Sequence, residues 1–419
     1  MQSYLKHPKY KWYGIFVCVL GALFYCYEYI LRIEPSVMVP ELMHTFQISA
    51  QGIGWLVGMY YYAYTPMQAV VGISTDYLGP RKVLVFALAL CAIGSLLFGL
   101  STHVAVAAFG RLLVGMGSSF AFVCALKLAS LWLPQRYFAL YAGLTTALGM
   151  IGGMFGDIGM QHVVSHFDWQ TVLITSSIIG VMLIPLYWFC IRENSSSSSS
   201  YQGHAIKDLL IGWMGMFRSP QMWLSGLIGC MLYLSLSAFG EIWGIPYLNS
   251  FKGIDHNLAA RLNSLIFFGW LIGSPISGWL SDYLKSRRIP MIAGSLLAAV
   301  CISLLLFLEI SNPWILAILL FGFGFFCSNE ILCFAVARES TPLGQAATAI
   351  GFTNMLIMLG GMITQPLVGT VLDWMWNGSY ANGIRVYTHA DFYHALFVLP
   401  IGMLCAAVFA WFLKETYPK

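Results

Sequence analysis

Long apolar runs separated by short polar breaks make up most of the chain. Twelve can be placed, near 12–38, 51–73, 83–101, 105–131, 138–163, 170–191, 220–248, 259–281, 289–309, 313–337, 345–373 and 391–413. At about 1.5 Å of rise per helical residue, such runs cover the roughly 30 Å of a bilayer's hydrocarbon core. The pattern predicts an all-α polytopic membrane protein with twelve transmembrane helices. One break, 192–219, is longer than the others and holds six serines, Ser195 to Ser200, followed by an amphipathic stretch, Ile206 to Phe217. The serines have nothing to bury and read as a flexible hinge. The stretch after them reads as a short interfacial helix that keeps Lys207, Asp208 and Arg218 in water. The break divides the chain into an N-terminal six-helix unit, 1–191, a cytoplasmic linker, 192–219, and a C-terminal six-helix unit, 220–419.

Composition excludes a water-soluble domain: of 419 residues 59% are apolar and only 9% charged, with a mean hydropathy of +0.75. The ten cysteines are scattered singly with no CxxC, which suits packing rather than disulfides or metal. The first apolar run is too long for a signal-peptide core and lacks a clean cleavage site. Charge has a side. Lys6, Lys9 and Lys11 precede the first run; Arg81, Lys82, Arg136, Arg192, Lys207, Arg218, Lys285, Arg287, Arg288 and Arg338 fall in loops on that same side. The opposite loops offer Lys252, Arg261 and Arg385. This asymmetry predicts that both termini are cytoplasmic, and short loops suit a bacterial inner membrane. The net charge of +4 comes mostly from these anchors.

The chain also repeats itself. Gly72-Ile-Ser-Thr-Asp-Tyr-Leu-Gly-Pro-Arg-Lys82 and Gly278-Trp-Leu-Ser-Asp-Tyr-Leu-Lys-Ser-Arg-Arg288 are two versions of one loop, 206 residues apart. Glycine lets two helices approach, the acid can bond a neighbouring helix end, and the cations hold the loop at the cytoplasmic face. Asp76, Arg81, Asp282 and Arg287 are therefore candidate gating residues. Val39-Pro-Glu-Leu42 matches Ile245-Pro-Tyr-Leu248 at the same offset, and Gly152-Gly153 corresponds to Gly360-Gly361. Duplication is the economical reading.

These paired loops resemble the signature loop of the major facilitator superfamily, and Arg111-Leu-Leu-Val-Gly-Met-Gly-Ser-Ser119 is similar to that family's Arg-x-x-x-Gly-x-Gly element. The resemblance covers essentially the whole chain. It implies two six-helix bundles related by a pseudo-twofold axis, a central cavity lined by spans one, four, seven and ten, and rocking between inward-open and outward-open states. It implies a monomer. Span five, Gly143 to Gly153, lacks the Gly-Pro pair of the drug-export antiporter motif. Tyr25-Cys-Tyr-Glu-Tyr29 with Arg32 and Pro35-Ser-Val-Met38 looks similar to the lysosomal dipeptide transporter branch, with organic-anion porters at a comparable distance.

Charges inside apolar runs carry the chemistry, because each costs a few kcal/mol at the bilayer centre unless it faces a wet cavity or a partner. Glu28 and Arg32 lie one turn apart and share a helix face. Arg111 and Glu241 fall at a comparable depth in spans four and seven. Two cations and two acids around one cavity suit a small zwitterion or anion, since a guanidinium can bond a carboxylate bidentately and a buried acid can carry a proton. Arg32, Arg111, Tyr25, Tyr29, Glu241 and Trp243 are candidate substrate residues, and Glu28 is the candidate proton site. Glu34 and Glu41 are expected nearer the outer surface and solvated, and Asp157 caps a helix or lines the path. Lys127 and Glu330, in spans four and ten, are candidates for an inner-gate salt bridge.

No Walker loop, metal-spaced His or Cys set, or nucleophile elbow occurs, so neither an enzyme nor a cofactor is expected. The expected partners are a small-molecule solute, protons and the lipid bilayer, without nucleic acid. The leading expectation is proton-coupled import of an amino acid, short peptide or organic acid. The alternatives are a proton-driven exporter of a drug, siderophore or metabolite, and a non-transporting receptor on the same fold.

Overall fold

The computed structural model describes residues 8–134, 137–191, 212–251, 254–308, 310, 312–341, 346–381 and 383–417. Among these residues the chain crosses twelve times as helix. The N-terminal half contributes span one (Pro8–Ile33, running on to Phe46), two (Ala50–Leu78), three (Pro80–Gly99), four (Val104–Trp132), five (Phe138–Met154, resuming as Met160–Val164) and six (Trp169–Cys190). The other half contributes seven (Pro220–Asn249), eight (His256–Tyr283), nine (Arg288–Phe307), ten (Pro313–Glu339), eleven (Ala346–Met375) and twelve (His389–Phe412). With twelve crossings, the start of span one at Pro8 and the end of span twelve at Phe412 fall on one face, and the opposite face is called outer below. The serine run lies outside the described residues, as does the first half of the amphipathic stretch, whose second half is helical over 212–217 and sets the Phe217 ring 5.0 Å from that of Phe352.

Local sequence explains the helix ends. Pro80, Pro220 and Pro313 each start a span, where a missing N–H costs nothing. In the loop between spans two and three, Gly79 sits at φ 82°, and its counterpart 206 residues on, Lys285, takes a left-handed φ of 50°. In lipid, helices gain little from apolar burial and associate through close packing of small residues. A Cβ on Gly115 would collide with the carbonyl of Tyr60, and one on Gly324 with the carbonyl of Ile266.

The duplication is visible in these contacts. Gly152 packs on Cys26 as Gly360 packs on Cys230. Gly153 faces Phe267 across the two halves, as Gly361 faces Tyr61. Contact between halves is tight toward the outer face: Gly54 abuts the backbone of Gln365 and Pro366, and Gly369 abuts Ala50. Toward the inner face, a Cβ on Gly143 of span five or Gly278 of span eight would meet no atom within 4 Å. The outer side is closed.

Among the described residues, four crossings contain a 3₁₀ or π turn. They are Glu34–Met38 in span one, Phe155–Gly159 in five, Ser235–Trp243 in seven and Ser328–Glu330 in ten. Each holds a buried acid: Glu34, Asp157, Glu241 and Glu330 respectively. Such turns leave backbone groups without their usual partners and tend to mark working sites. The solvated position expected for Glu34 is thus corrected. Span one does not end near residue 38 but continues to Phe46, and Glu34 is 2% exposed and accepts from Ser176 Oγ at 3.0 Å.

Candidate substrate and proton site

Span one is helical through Glu28 and Arg32, which places the two side chains one turn apart on one face. Arg32 Nη2 lies 3.3 Å from Glu28 Oε1, and Nη1 lies 3.8 Å from Glu241 Oε1 of span seven. Tyrosines complete the set. Arg32 Nε donates to Tyr60 OH at 2.9 Å, and Tyr60 OH donates to Glu28 Oε2 at 3.0 Å. Arg32 Nη1 donates to Tyr233 OH at 2.7 Å, while Tyr61 OH donates to Glu241 Oε2 at 2.5 Å. The guanidinium carbon also lies 4.6, 4.9 and 5.2 Å from the ring centres of Tyr29, Tyr60 and Tyr64, a cation–π cage.

Arg32 is 2% exposed, Glu28 0% and Glu241 1%. Three charges are therefore held away from water by one another and by hydroxyls. With both acids ionised the triad carries one net negative charge, and one proton would make it neutral. Removing one member of such a buried pair typically costs about 3–5 kcal/mol, because the other charge is stranded. The triad also joins the two halves of the chain, since Glu28 and Arg32 come from span one and Glu241 and Tyr233 from span seven.

Arg111 bonds backbone of span one and not the carboxylates of the triad. Its Nη1 donates to the carbonyl of Leu31 at 2.8 Å and Nη2 to that of Arg32 at 3.4 Å. Pro35 explains this: with no N–H it cannot donate to the carbonyl of Leu31 four residues earlier, and Arg111 supplies the donor. Arg111 clamps the backbone that presents Arg32. Trp243 lies at the contact of spans seven and eleven, donating from Nε1 to the carbonyl of Gln365 at 3.2 Å. Tyr25 stacks edge-on to Tyr29 at 5.1 Å and touches Phe122.

The inner-face candidates are partly assembled. Arg287 Nη1 binds Asp282 Oδ1 and Nη2 binds Glu339 Oε1, both at 2.8 Å. In the first loop Arg81 lies over the Trp188 ring at 4.7 Å, and the side chain of Asp76 lies outside the described residues. Glu330 is 5% exposed in the bent turn of span ten. An ion pair between it and Lys127 is not among those the described residues form.

Two partners escaped the sequence. Tyr233 carries no charge, and nothing in its apolar run singles it out. Asn263 donates from Nδ2 to Asp157 Oδ2 at 2.7 Å; an amide inside an apolar run was a readable signal.

Comparison with known proteins agrees with this architecture. A family profile described as Major Facilitator Superfamily matches residues 17–365. The chain belongs to the major facilitator superfamily. Among curated relatives, a probable sulfoacetate transporter, SauU, of Cupriavidus necator is 23% identical over 389 residues, covering 86% of this chain and 88% of that one. The membrane sensor protein UhpC of Escherichia coli is 24% identical, covering 95% and 94%. Among solved structures, a D-xylose-proton symporter superposes with a TM-score of 0.77 at 14% identity, over 98% of this chain and 99% of that one. A bacterial homologue of the human lysosomal transporter Spinster, in an inward-facing and unoccupied conformation, gives 0.73 at 15% identity, over 96% and 95%. The major-facilitator fold has twelve transmembrane helices in two pseudosymmetric six-helix bundles, and the family is one of transporters rather than enzymes.

Proposed function

We propose that the chain is a secondary active transporter that imports a small charged or zwitterionic solute, such as an amino acid, short peptide or organic acid, together with protons. The supporting observation is the buried Arg32 triad, which joins both halves of the chain. A solute carboxylate takes the place of Glu241 on Arg32, using the guanidinium's bidentate geometry. Glu28 takes the proton, so that the occupied site does not gather two uncompensated negative charges in a low-dielectric interior. Tyr25 and Tyr29 form the wall beside it, with Trp243 further along span seven. The bundles 1–191 and 220–419 rock about this point, with 192–219 as the cytoplasmic linker. Asp76, Arg81, Asp282 and Arg287 gate the inner face, and Lys127 approaches Glu330 when that face shuts. The protein acts as a monomer in a bacterial inner membrane with both termini in the cytoplasm.

The test is proton flux into proteoliposomes carrying an internal pH dye, challenged with pools of amino acids, dipeptides and organic acids. One pool should acidify the lumen, Glu28→Gln should abolish that while leaving solute exchange, and Arg32→Ala should abolish both. Drug or siderophore export that persists in Arg32→Ala would replace this reading with the exporter. Silence in every transport assay, with solute binding retained, would replace it with a receptor.

A further inference from the structure

The spans bury more acids than cations. Among the described residues, Glu28, Glu34, Asp157, Glu241 and Glu330 are at most 5% exposed inside the crossings, against Arg32 and Arg111. Arg32 is committed to Glu28 and Glu241, and Arg111 to the carbonyls of span one. Asp157 has neither. It is fully buried in the irregular turn of span five, and its two oxygens meet neutral donors only: Ser36 Oγ at 3.1 Å and Asn263 Nδ2 at 2.7 Å. Asn263 belongs to span eight of the other bundle and is itself fully buried, with its second amide hydrogen on the carbonyl of Gly240 at 2.7 Å. The cluster thus bridges the bundles on the side where they are closed.

A lone ionised carboxylate at such a site costs several kcal/mol. A protonated one costs little here, because both hydrogen bonds survive. Oδ2 goes on accepting from Asn263, and Oδ1–H donates to Ser36 Oγ, a hydroxyl that can accept as well as donate. We propose that Asp157 is a second proton-binding site, a latch in which a proton taken from the outer side seals the outer face by neutralising the charge that the Ser36–Asp157–Asn263 bridge buries. When the bundles part there, Asn263 withdraws, water enters and Asp157 ionises. Acid outside therefore favours closure. The inference rests on the transporter reading for its alternation of access, but not on the substrate or on Glu28 as the coupling site.

Other ionisable groups stand on the elements packed around Asp157. Span one and its continuation carry Glu28, Arg32 and Glu34, and span seven carries Glu241. Span eight brings His256, bonded to the carbonyl of Val37, and the exposed Arg261; His162 follows on span five. The test must separate Asp157 from all of these. Infrared difference spectra of the purified protein between neutral and alkaline pH should show a protonated-carboxyl C=O band that Asp157→Asn removes and Glu28→Gln and Glu241→Gln retain. Hydrogen exchange, corrected for intrinsic rate, should report the gate over 36–43 and 256–266. In the wild type, opening should rise with pH by up to about tenfold per unit, the limit for one linked proton. In Asp157→Asn, which keeps both hydrogen bonds without a titrating group, that dependence should vanish and the outer face stay protected when both proteins also carry Glu28→Gln and Glu241→Gln. A band indifferent to Asp157→Asn, or a pH dependence that survives it, would overturn the latch. Loss of solute-driven proton flux in Glu28→Gln with the band unchanged would bear on the transport reading alone.

Discussion

The outer face carries a second bridge that makes a quantitative prediction. Span two begins at Ala50, and the first N–H groups of a helix have no partner within it. Asp373, at the outer end of span eleven, supplies one: Oδ2 accepts from the amide of Gln51 at 3.0 Å and from Ser49 Oγ. Its Oδ1 accepts from Tyr387 OH at 2.6 Å and Arg385 Nη1 at 3.1 Å, and Tyr387 OH in turn accepts from the amide of Ala50 at 3.0 Å. A carboxylate of one bundle thereby plugs the positive end of a helix in the other. Hydrogen bonds to a charged group contribute about 1.5–3 kcal/mol each when buried. Arg385 is 34% exposed and its pair with Asp373 is discounted to about 0.5 kcal/mol. The donors regain water once the face opens, so Asp373→Ala should destabilise the closed outer face by about 2 kcal/mol net, or roughly 30-fold in the opening equilibrium. Hydrogen-exchange mass spectrometry reads it directly: the segment 49–55 should exchange about 30-fold faster while spans three and nine are unchanged. Arg385→Ala, removing only the exposed pair, should change it by about threefold or less. Exchange at 49–55 that stays within about twofold of wild type in Asp373→Ala would refute the plug, and a rise everywhere would mean that the residue supports folding instead.

Three further outcomes are expected. Gly54→Ala would drive a methyl into the carbonyl of Gln365 and within 2.8 Å of Pro366 Cα, backbone that cannot yield; overpacking of about 1–3 kcal/mol should cut uptake about tenfold while the protein still elutes as a single species. Arg111→Lys keeps the charge but cannot reach both carbonyls of span one, so thermal unfolding should show a loss of about 1–3 kcal/mol whether or not solute is present. Burial alone would raise the Glu415 carboxyl, yet the amide of Arg287, the hydroxyl of Ser286 and the amides of Tyr417 and Arg288 outweigh it and hold it below the ordinary range. With the folded value depressed, docking of the chain end is fully present above the usual carboxylate value of about 4.3 and lost as pH falls through the lower one. The anisotropy of a fluorophore on the terminus should therefore stay constant down to that point and then drop, in contrast to Glu415→Gln, which should be mobile throughout.

The crossings were legible because a bilayer forces apolar length, and the order of apolar runs and polar breaks is the topology itself. Glu28 with Arg32 was legible for a similar reason, since charges in such runs need partners and one helical turn supplies one. Of the partners from other crossings, Glu241 was placed by depth alone and Tyr233 was not legible at all. Glu241 reaches Arg32 through an irregular turn whose existence depends on packing around Ser235–Trp243 and not on any local signal. Arg111 showed the limit of reading by depth. What its guanidinium bonds follows from Pro35, which removes a donor from a different helix, and only the fold brings the two together.

What repeats between the halves is packing, and what breaks the repeat is chemistry. Gly152 on Cys26 is matched by Gly360 on Cys230, so Glu28 and Arg32 correspond to Leu232 and Leu236, and Asp157 to Gln365. The glycine contacts need no charge and act in both halves, which is what a pair of bundles must keep to roll on one another. The ionisable groups stand mainly on one side of the pseudo-twofold axis and reach across it, Arg32 to Glu241 and Asp157 to Asn263. An arrangement of that kind ties protonation to the relative position of the bundles, because a proton added to either acid changes the strength of a contact that exists only while the bundles meet there. A fully symmetric chain would have lent the same chemistry to both halves. This one keeps a symmetric hinge and an asymmetric load, so on the transport reading proposed above substitutions at the repeated glycines should alter rates of interconversion, and substitutions at the charges should alter which solute or proton drives it.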